Sequence, residues 1–264
     1  MNDLAPLYLA LLKKCLGNFI HDDDLDLSSS DIVVDAATGK YYPAAPKPAN
    51  PKLKHLGGVW PSRAHTMIGL PRLDNLQYCV EQVLKERVPG DLIETGVWRG
   101  GASIFMRGIL KAHGDTERKV WVADSFEGLP PADIARYPKE FTGNLHDAGV
   151  LAISLEDVRR NFERYDLLDD QVRFLKGWFR DTLPVAPIQQ LAVMRLDGDL
   201  YESTMDGLVH LYPKLSPGGF AIIDDYNALQ ACNDAVADYR REHGITAEMT
   251  MIPGCGAFWR KGRE

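Results

Sequence analysis

From about residue 91 onward, short apolar runs alternate with longer segments that have helical spacing. This alternation is typical of a parallel sheet whose strands are joined by helices. The runs predicted to be strands are residues 91–94, 119–124, 171–175, 191–196 and 220–223. The pattern therefore predicts an α/β fold with a doubly wound, Rossmann-like and mainly parallel sheet.

The segments between these strands complete the predicted domain. Helices are expected at residues 102–113, 154–164, 203–212 and 232–243. The second of these helices begins with an acidic capping box, formed by Ser154 and Asp157. Residues 216–219 (SPGG) are interpreted as a turn. Two closing runs, 248–252 and 256–260, flank Pro253-Gly254, and such a tight connection allows only antiparallel pairing. We therefore expect a C-terminal antiparallel hairpin.

The N-terminal quarter of the chain lies outside this alternation. We expect residues 1–70 to form an N-terminal helix and lid extension, and residues 71–264 to form the main domain. Leucines near helical spacing predict a helix within the first twenty residues. Residues 44–51 contain three prolines, which exclude a central strand or helix and favour a surface loop that could act as a lid. The acidic run 22–24 is expected to be a solvated face.

Composition limits the location and the partners of the protein. No stretch approaches the roughly 20 apolar residues that span a bilayer, and Lys13 and Lys14 interrupt the N-terminal apolar pattern. Four scattered cysteines are typical of reduced thiols. We therefore expect a cytoplasmic protein without a membrane partner. The net charge of -7 disfavours nucleic acid as a partner, so a small-molecule substrate is expected.

A glycine-rich loop follows the first predicted strand, at residues 94–101 (ETGVWRGG). In doubly wound sheets, ligands bind beyond the carboxyl ends of the strands, where glycines allow close approach. The dinucleotide fingerprint needs a second glycine two residues after the first, and Trp98 stands there instead. Glu94 would favour the positive sulfonium or amino group of S-adenosylmethionine. The alternative is that the glycines only form a strand-to-helix turn.

Two further segments support a nucleoside site at the same sheet edge. Asp124 ends the second predicted strand, where an acidic residue accepts hydrogen bonds from ribose hydroxyls. Gly177 and Trp178 follow the third strand and are expected to border the adenine. Phe179 could equally pack in the core. Together with the glycine loop, these positions predict an S-adenosylmethionine site.

Carboxylates end the fourth and fifth predicted strands, at Asp197 and at Asp224-Asp225. Neighbouring parallel strands would bring these side chains together, and such hard oxygen ligands suit Mg²⁺, with Mn²⁺ also compatible. Asp199 ranks below them because it lies further into its loop. The alternative is that these aspartates cap helices or pair with an arginine such as Arg195.

A bound cation would make a sugar hydroxyl a better nucleophile by lowering its pKa. Asp197 is the expected general base, and His146, in the polar insertion after the second strand, is the second candidate. Phosphoryl transfer would need basic phosphate clamps, which the sequence does not show.

At these motifs the chain resembles the macrocin O-methyltransferase family, whose members methylate deoxysugar hydroxyls on macrolide and aminocoumarin antibiotics. The matching strings are residues 65–69 (HTMIG), 94–101 (ETGVWRGG), 122–126 (VADSF), 177–179 (GWF), 196–199 (LDGD) and 218–226 (GGFAIIDDY). The resemblance implies a class I methyltransferase fold, S-adenosylmethionine, a homodimer, and Mg²⁺ held by Asp197, Asp224 and Asp225. It also implies that Thr66 and Met67 approach the cofactor. The resemblance extends more loosely to catechol-type methyltransferases, whose last ligand pair is Asp-Asn. The pair Asp224-Asp225 departs from that pattern and disfavours a phenol substrate.

These observations define the expected site and function. The expected cofactor-binding residues are Thr66, Met67, Glu94, Gly96, Val97, Ser103, Asp124, Ser125, Phe126, Gly177 and Trp178. The predicted reaction is methyl transfer from S-adenosylmethionine to a deoxysugar hydroxyl of an antibiotic glycoside. The alternatives are a nicotinamide-dependent oxidoreductase and a non-catalytic nucleoside-binding protein.

Overall fold

The computed structural model describes residues 4–28, 32–34, 41–43, 45–140 and 145–262. Parts of the predicted lid, at residues 29–31, 35–40 and 44, lie outside these ranges. The helices are α1 (Ala5–Leu16), α2 (Pro51–Leu56), α3 (Gly69–Lys85), α4 (Gly101–Ala112), α5 (Leu155–Arg164), α6 (Phe179–Thr182), α7 (Tyr201–Leu211) and α8 (Gln230–Glu242). The strands are β1 (Leu25–Asp26), β2 (Ile32–Val34), β3 (Tyr41–Pro43), β4 (Lys47–Pro48), β5 (Asp91–Thr95), β6 (Val120–Asp124), β7 (Val172–Lys176), β8 (Leu191–Leu196), β9 (Leu215–Ile223), β10 (Thr250–Met251) and β11 (Ala257–Arg260).

A seven-stranded sheet organises the molecule, with the strand order β10-β11-β9-β8-β5-β6-β7. Strands β5 to β9 pair in parallel, whereas β11 is antiparallel to both β9 and β10. The chain leaves β5 toward β6 and β7 and returns to β8 on the other side, so the strand order reverses between β5 and β8. This topology confirms the doubly wound sheet and its C-terminal antiparallel hairpin. It also creates a ligand-binding crevice at the carboxyl ends of β5 and β8.

Apolar side chains cover both faces of the sheet. One buried cluster joins the sheet to α1, α3, α4 and α5, and the other joins it to α7 and α8. All six residues of β8 are buried, which is why the sequence is apolar there except at Arg195. This two-sided core fixes the sheet edge that carries the functional motifs.

Two local features differ from the sequence analysis. The predicted turn at 216–219 is wrong, because β9 begins at Leu215 and runs through this segment. Its pairing with β8 shifts register between Leu191 and Val193, so the proline and glycines mark an irregular strand. Helix α3 was not predicted, although Leu73, Leu76 and Val80 have helical spacing and are buried.

The N-terminal segment packs closely on the sheet domain. Helix α1 lies against α4, where a Cβ atom on Gly108 would come within 2.4 Å of Leu12. Asp24 is buried and accepts hydrogen bonds from Lys54 Nζ at 2.8 Å and from the Arg63 amide at 2.6 Å. The expectation of a solvated acidic run is therefore wrong for this residue. Within the described ranges, no helix is both long and apolar enough to cross a membrane.

Candidate active site

A cavity of about 320 Å³ opens at the carboxyl ends of β5, β6, β8 and β9. This volume lies in the range of small-molecule sites. The predicted cofactor residues that line it are Thr66, Met67, Glu94, Gly96, Val97, Asp124, Ser125 and Trp178. Asp197, Asp224 and Asp225 line the same cavity. The fold thus brings the glycine loop and the aspartates to one place.

Four predicted residues do not line this cavity. Ser103 is buried in α4, where its hydroxyl donates a hydrogen bond to Glu94 Oε2. Phe126 is buried and packs against the ring of Phe174. Gly177 adopts a φ of +136° beside the cavity residue Trp178. His146 lies on a short 3₁₀ turn, with Nε2 3.4 Å from Asp147 Oδ1.

The glycine loop is shaped by close contacts within the chain. Gly96 has a φ of +77°, and a Cβ atom there would lie 1.6 Å from the carbonyl oxygen of Asp197. A Cβ atom on Gly101 would lie 2.4 Å from the carbonyl oxygen of His65. The glycines thus join the ends of β5 and β8 and place Thr66 beside the helix α4 N-terminus. Glycines at these positions were expected to allow close approach of a ligand, and contacts with the chain's own backbone account for part of the need for glycine.

Asp124, at the end of β6, holds this loop through hydrogen bonds with backbone amides. Its Oδ2 accepts a hydrogen bond from the Val97 amide at 2.7 Å, and its Oδ1 accepts one from the Phe126 amide at 2.7 Å. Burial raises the pKa of the Asp124 carboxyl, while these amides lower it. The carboxylate therefore orders the loop and faces the cavity.

A buried guanidinium lies at the centre of the acidic group. Arg195 in β8 is 1% exposed and donates to Glu94 Oε1 at 2.5 Å and to Asp197 Oδ2 at 3.1 Å. It also pairs with Asp224 Oδ1. Burial raises the pKa of Glu94 to about 7, although Arg195 and Ser103 oppose this shift. The arginine pairing considered as an alternative to metal binding is therefore present.

Asp224 is paired from two sides. Its Oδ1 accepts a hydrogen bond from Arg195, and its Oδ2 accepts one from Arg72 in α3. Arg72 is held in place because its Nε donates to the Ile68 carbonyl at 2.7 Å. No sequence pattern pointed to Arg72, which lies 152 residues from its partner.

The carboxylates of Asp197, Asp199 and Asp225 converge in this cavity. One oxygen from each lies within 4.8 Å of the other two. Burial and mutual repulsion raise the pKa of Asp197 and of Asp225 well above the usual range, and that of Asp199 to about 8. This chemistry fits a hard divalent cation, which would offset the repulsion. Asp199, which the sequence analysis ranked lower, therefore lies in the convergent group.

Apolar and charged side chains line the rest of the cavity. Trp60, Leu129 and Leu229 are among the apolar ones. Glu202 and Asp206, one turn apart on α7, line it as well, and Arg180 Nη1 lies 3.6 Å from Glu202 Oε1. Burial raises the pKa of Asp206 to about 6. No sequence pattern pointed to Glu202 and Asp206, because their exposure to the cavity depends on the packing of α7.

Comparison with known proteins identifies the family. Residues 5–261 match the family described as Macrocin-O-methyltransferase (TylF). The chain belongs to the macrocin O-methyltransferase family. This match covers the glycine loop, Asp124 and all the aspartates described above. Membership in this family identifies the reaction as methyl transfer and excludes the alternative of a nicotinamide-dependent oxidoreductase.

Relatives within this group are similar over nearly their whole length. The chain is 58% identical to the 8-demethyl-8-(2,3-dimethoxy-alpha-L-rhamnosyl)-tetracenomycin-C 4'-O-methyltransferase of Streptomyces olivaceus, with 98% of this chain and 94% of the relative covered. It is 51% identical to the mycinamicin III 3''-O-methyltransferase of Micromonospora griseorubida, with 97% of each covered. The protein is therefore an O-methyltransferase.

A solved structure supports the fold. The O-methyltransferase NovP aligns with a TM-score of 0.86 and 48% identity, covering 98% of this chain and all of NovP. The calicheamicin methyltransferase CalS11 aligns with a TM-score of 0.57 and 22% identity, covering 72% of this chain and 78% of CalS11. The class I methyltransferase fold is thus confirmed, and this fold supports S-adenosylmethionine as cofactor.

Proposed function

We propose that this protein transfers a methyl group from S-adenosylmethionine to a deoxysugar hydroxyl of an antibiotic glycoside. The observation that carries the proposal is the 58% identity to an enzyme named for methylating a rhamnosyl-tetracenomycin. The mycinamicin relative, named as a 3''-O-methyltransferase, supports the same acceptor class. The apolar side chains that line the cavity suit an aglycone, and its carboxylates suit sugar hydroxyls.

The cofactor would occupy the part of the cavity below the glycine loop. Asp124 would accept hydrogen bonds from the ribose hydroxyls through its remaining lone pairs, and Trp178 would border the adenine. Glu94 would favour the positive amino or sulfonium group, with its own charge balanced by Arg195. Thr66 and Met67 would contact the cofactor from the N-terminal side.

A divalent cation, Mg²⁺ or Mn²⁺, would be held by Asp197 and Asp225. The family resemblance implies Asp224 as the third ligand, whereas the observed convergence favours Asp199. Asp224 could still bind the cation, since a carboxylate oxygen that accepts a hydrogen bond keeps a second lone pair. Calorimetric titration of Mn²⁺ into D199N and D224N would decide, because loss of a ligand weakens binding more than loss of a neighbouring charge.

In the reaction, the residues of the chain would bind, orient and deprotonate the acceptor. A bound cation supplies positive charge that lowers the pKa of a nearby hydroxyl. Asp197 would accept the hydroxyl proton, and Arg195 would hold its carboxylate in place. S-adenosylmethionine would supply the methyl group, which would pass to the acceptor oxygen as its bond to sulfur breaks, leaving S-adenosylhomocysteine. His146 would serve as base only after moving into the cavity.

A methyl-transfer assay on a panel of desmethyl antibiotic glycosides tests the proposal. Mass spectrometry should find one added methyl group, and fragmentation should place it on the sugar. Binding of S-adenosylhomocysteine without turnover on any glycoside would favour the non-catalytic alternative.

The proposal also includes a homodimer and a cytoplasmic location. Light scattering after gel filtration should then give twice the chain mass of 29.5 kDa. A monomeric mass at working concentration would overturn the dimer without affecting the proposed reaction.

A further inference from the structure

Glu140 lies in the long insertion between β6 and α5, and its side chain reaches helix α7. It is 6% exposed. Its Oε1 accepts a hydrogen bond from the Tyr201 amide at 2.9 Å, and its Oε2 accepts one from the Glu202 amide at 3.0 Å. The carboxylate thus binds the first two amides of α7.

Helix α7 depends on this contact for its N-terminal cap. The residue at the N-cap position is Leu200, whose apolar side chain forms no capping hydrogen bond. The first amides of a helix need acceptors, and a carboxylate there also interacts favourably with the helix dipole. Glu140 provides that acceptor from 61 residues away in sequence.

The start of α7 continues directly from the acidic loop of the candidate active site. Leu200 follows Asp199, and its carbonyl accepts the Thr204 amide at 3.0 Å as the helix begins. The Asp199 amide donates to Asp225 Oδ2 at 3.0 Å. A shift of the first turn of α7 would therefore move Asp199 and, through Gly198, Asp197.

A second set of contacts docks the same part of the insertion. Lys139 Nζ lies 2.6 Å from Asp238 Oδ2 in α8, and the Tyr201 hydroxyl donates to that oxygen at 2.9 Å. On either side of these contacts, Leu129 and Leu151 line the cavity. The described residues on both sides of the docked contacts therefore contribute to the cavity lining.

We propose that Glu140 is a positioning residue for methyl transfer. By capping α7, it couples the docked insertion to the placement of the loop that holds Asp197 and Asp199. This inference rests on the proposed function only for the identity of the reaction. Glu140 itself does not touch the reacting groups.

The test compares E140A and E140Q with the control D157A. Asp157 is a matched control because it lies in the first turn of α5, whose residues do not line the cavity. The rate of cleavage by trypsin after Arg136 and Lys139, whose side chains are exposed, measures how firmly this part of the insertion is docked. We expect E140A to be cleaved there about tenfold faster than the wild type, consistent with loss of a helix cap.

Kinetics separate positioning from simple stabilisation. We expect kcat to fall about tenfold in E140A, with the S-adenosylhomocysteine affinity within about twofold of wild type. E140Q keeps one acceptor oxygen and should recover part of kcat. D157A should match the wild type in cleavage, kcat and cofactor affinity.

Three outcomes would overturn the proposal. Unchanged cleavage in E140A would show that Glu140 does not dock the insertion. Faster cleavage with unchanged kcat would show that docking does not position the loop. Loss of cofactor affinity equal to the loss of kcat would show general damage to the fold. The cleavage and cofactor-binding measurements need no methyl acceptor. They therefore test the contact between Glu140 and α7 even if the proposed acceptor class is wrong.

Discussion

Arg195 explains how several acidic residues can share one buried site. Its guanidinium contacts Glu94, Asp197 and Asp224, and Arg72 adds a second positive charge at Asp224. A buried carboxylate that keeps its charge is costly unless it is paired or bound to a cation. Asp197 faces the cavity on one side of this arginine, so its carboxylate is oriented before any acceptor binds.

The first prediction concerns Asp197 as the proton acceptor. Asp197→Asn should lower kcat at least about 100-fold, because the amide cannot take the hydroxyl proton. The affinity for S-adenosylhomocysteine should stay within about threefold. Steady-state kinetics and calorimetry measure both, with the exposed Asp170→Asn as control. Turnover near the wild-type rate would exclude Asp197 as the base.

The second prediction concerns His65, beside the predicted cofactor residue Thr66. Burial, Arg164 and Arg99 lower the pKa of His65 to about 4, and its Nδ1 lies 2.7 Å from the Tyr165 hydroxyl. The unfolded chain, with a pKa of about 6.5, therefore binds this proton first as pH falls. The contribution of His65 to the free energy of unfolding is therefore fully present above about pH 6.5 and is lost progressively as the pH falls to about 4.

We expect the free energy of unfolding to fall by on the order of 1–2 kcal/mol over this range. This is less than the full shift implies, because the side chain is partly exposed to water. Urea unfolding of wild type and His65→Asn at pH 7 and pH 4 measures the difference. The exposed His55→Asn serves as control. Equal pH dependence in wild type and His65→Asn would contradict the assignment.

At the residue scale, sequence predicted the aspartates and named Arg195 as an alternative partner, but it did not point to Arg72. Asp197, Asp224 and Asp225 were recognisable because each follows a buried apolar run. That Asp224 pairs with Arg72, and that Asp199 joins the convergent group, depends on how α3 and the loop after β8 pack. No local pattern carries this information.

At the scale of elements, strands buried on both faces were the easiest to predict. The limits of β8 agree with the sequence analysis to the residue, because all its side chains are buried. The start of β9 was missed because Pro217 and two glycines normally end a strand. Here Pro217 is exposed and the register shift absorbs the irregularity.

The third prediction tests the junction between β5 and β8. Gly96→Ala should lower the free energy of unfolding by at least about 2 kcal/mol, because the new Cβ would clash with the Asp197 carbonyl. Gly149→Ala is the control, since a Cβ atom added there would have no neighbouring atom within 4 Å. Denaturant titration measures both. A neutral Gly96→Ala would contradict the observed contact.

At the scale of the whole molecule, the N-terminal segment and the sheet domain build one site. Arg99, after the glycine loop, donates to the carbonyls of Pro61, Ser62 and Ala64 at 2.8 to 3.0 Å. Trp60 and Thr66 from this segment line the cavity. Sequence predicted an extension near the site, but its docking depends on contacts distant in sequence, which periodicity does not reveal.

The central claim is that the convergent carboxylates act with a divalent cation to methylate a sugar hydroxyl. The most direct measurement is turnover of a desmethyl glycoside before chelation, after chelation and after addition of Mg²⁺, with metal content checked by mass spectrometry. We predict that chelation lowers turnover by more than about tenfold and that Mg²⁺ restores it. Full turnover by verified metal-free protein would contradict the claim.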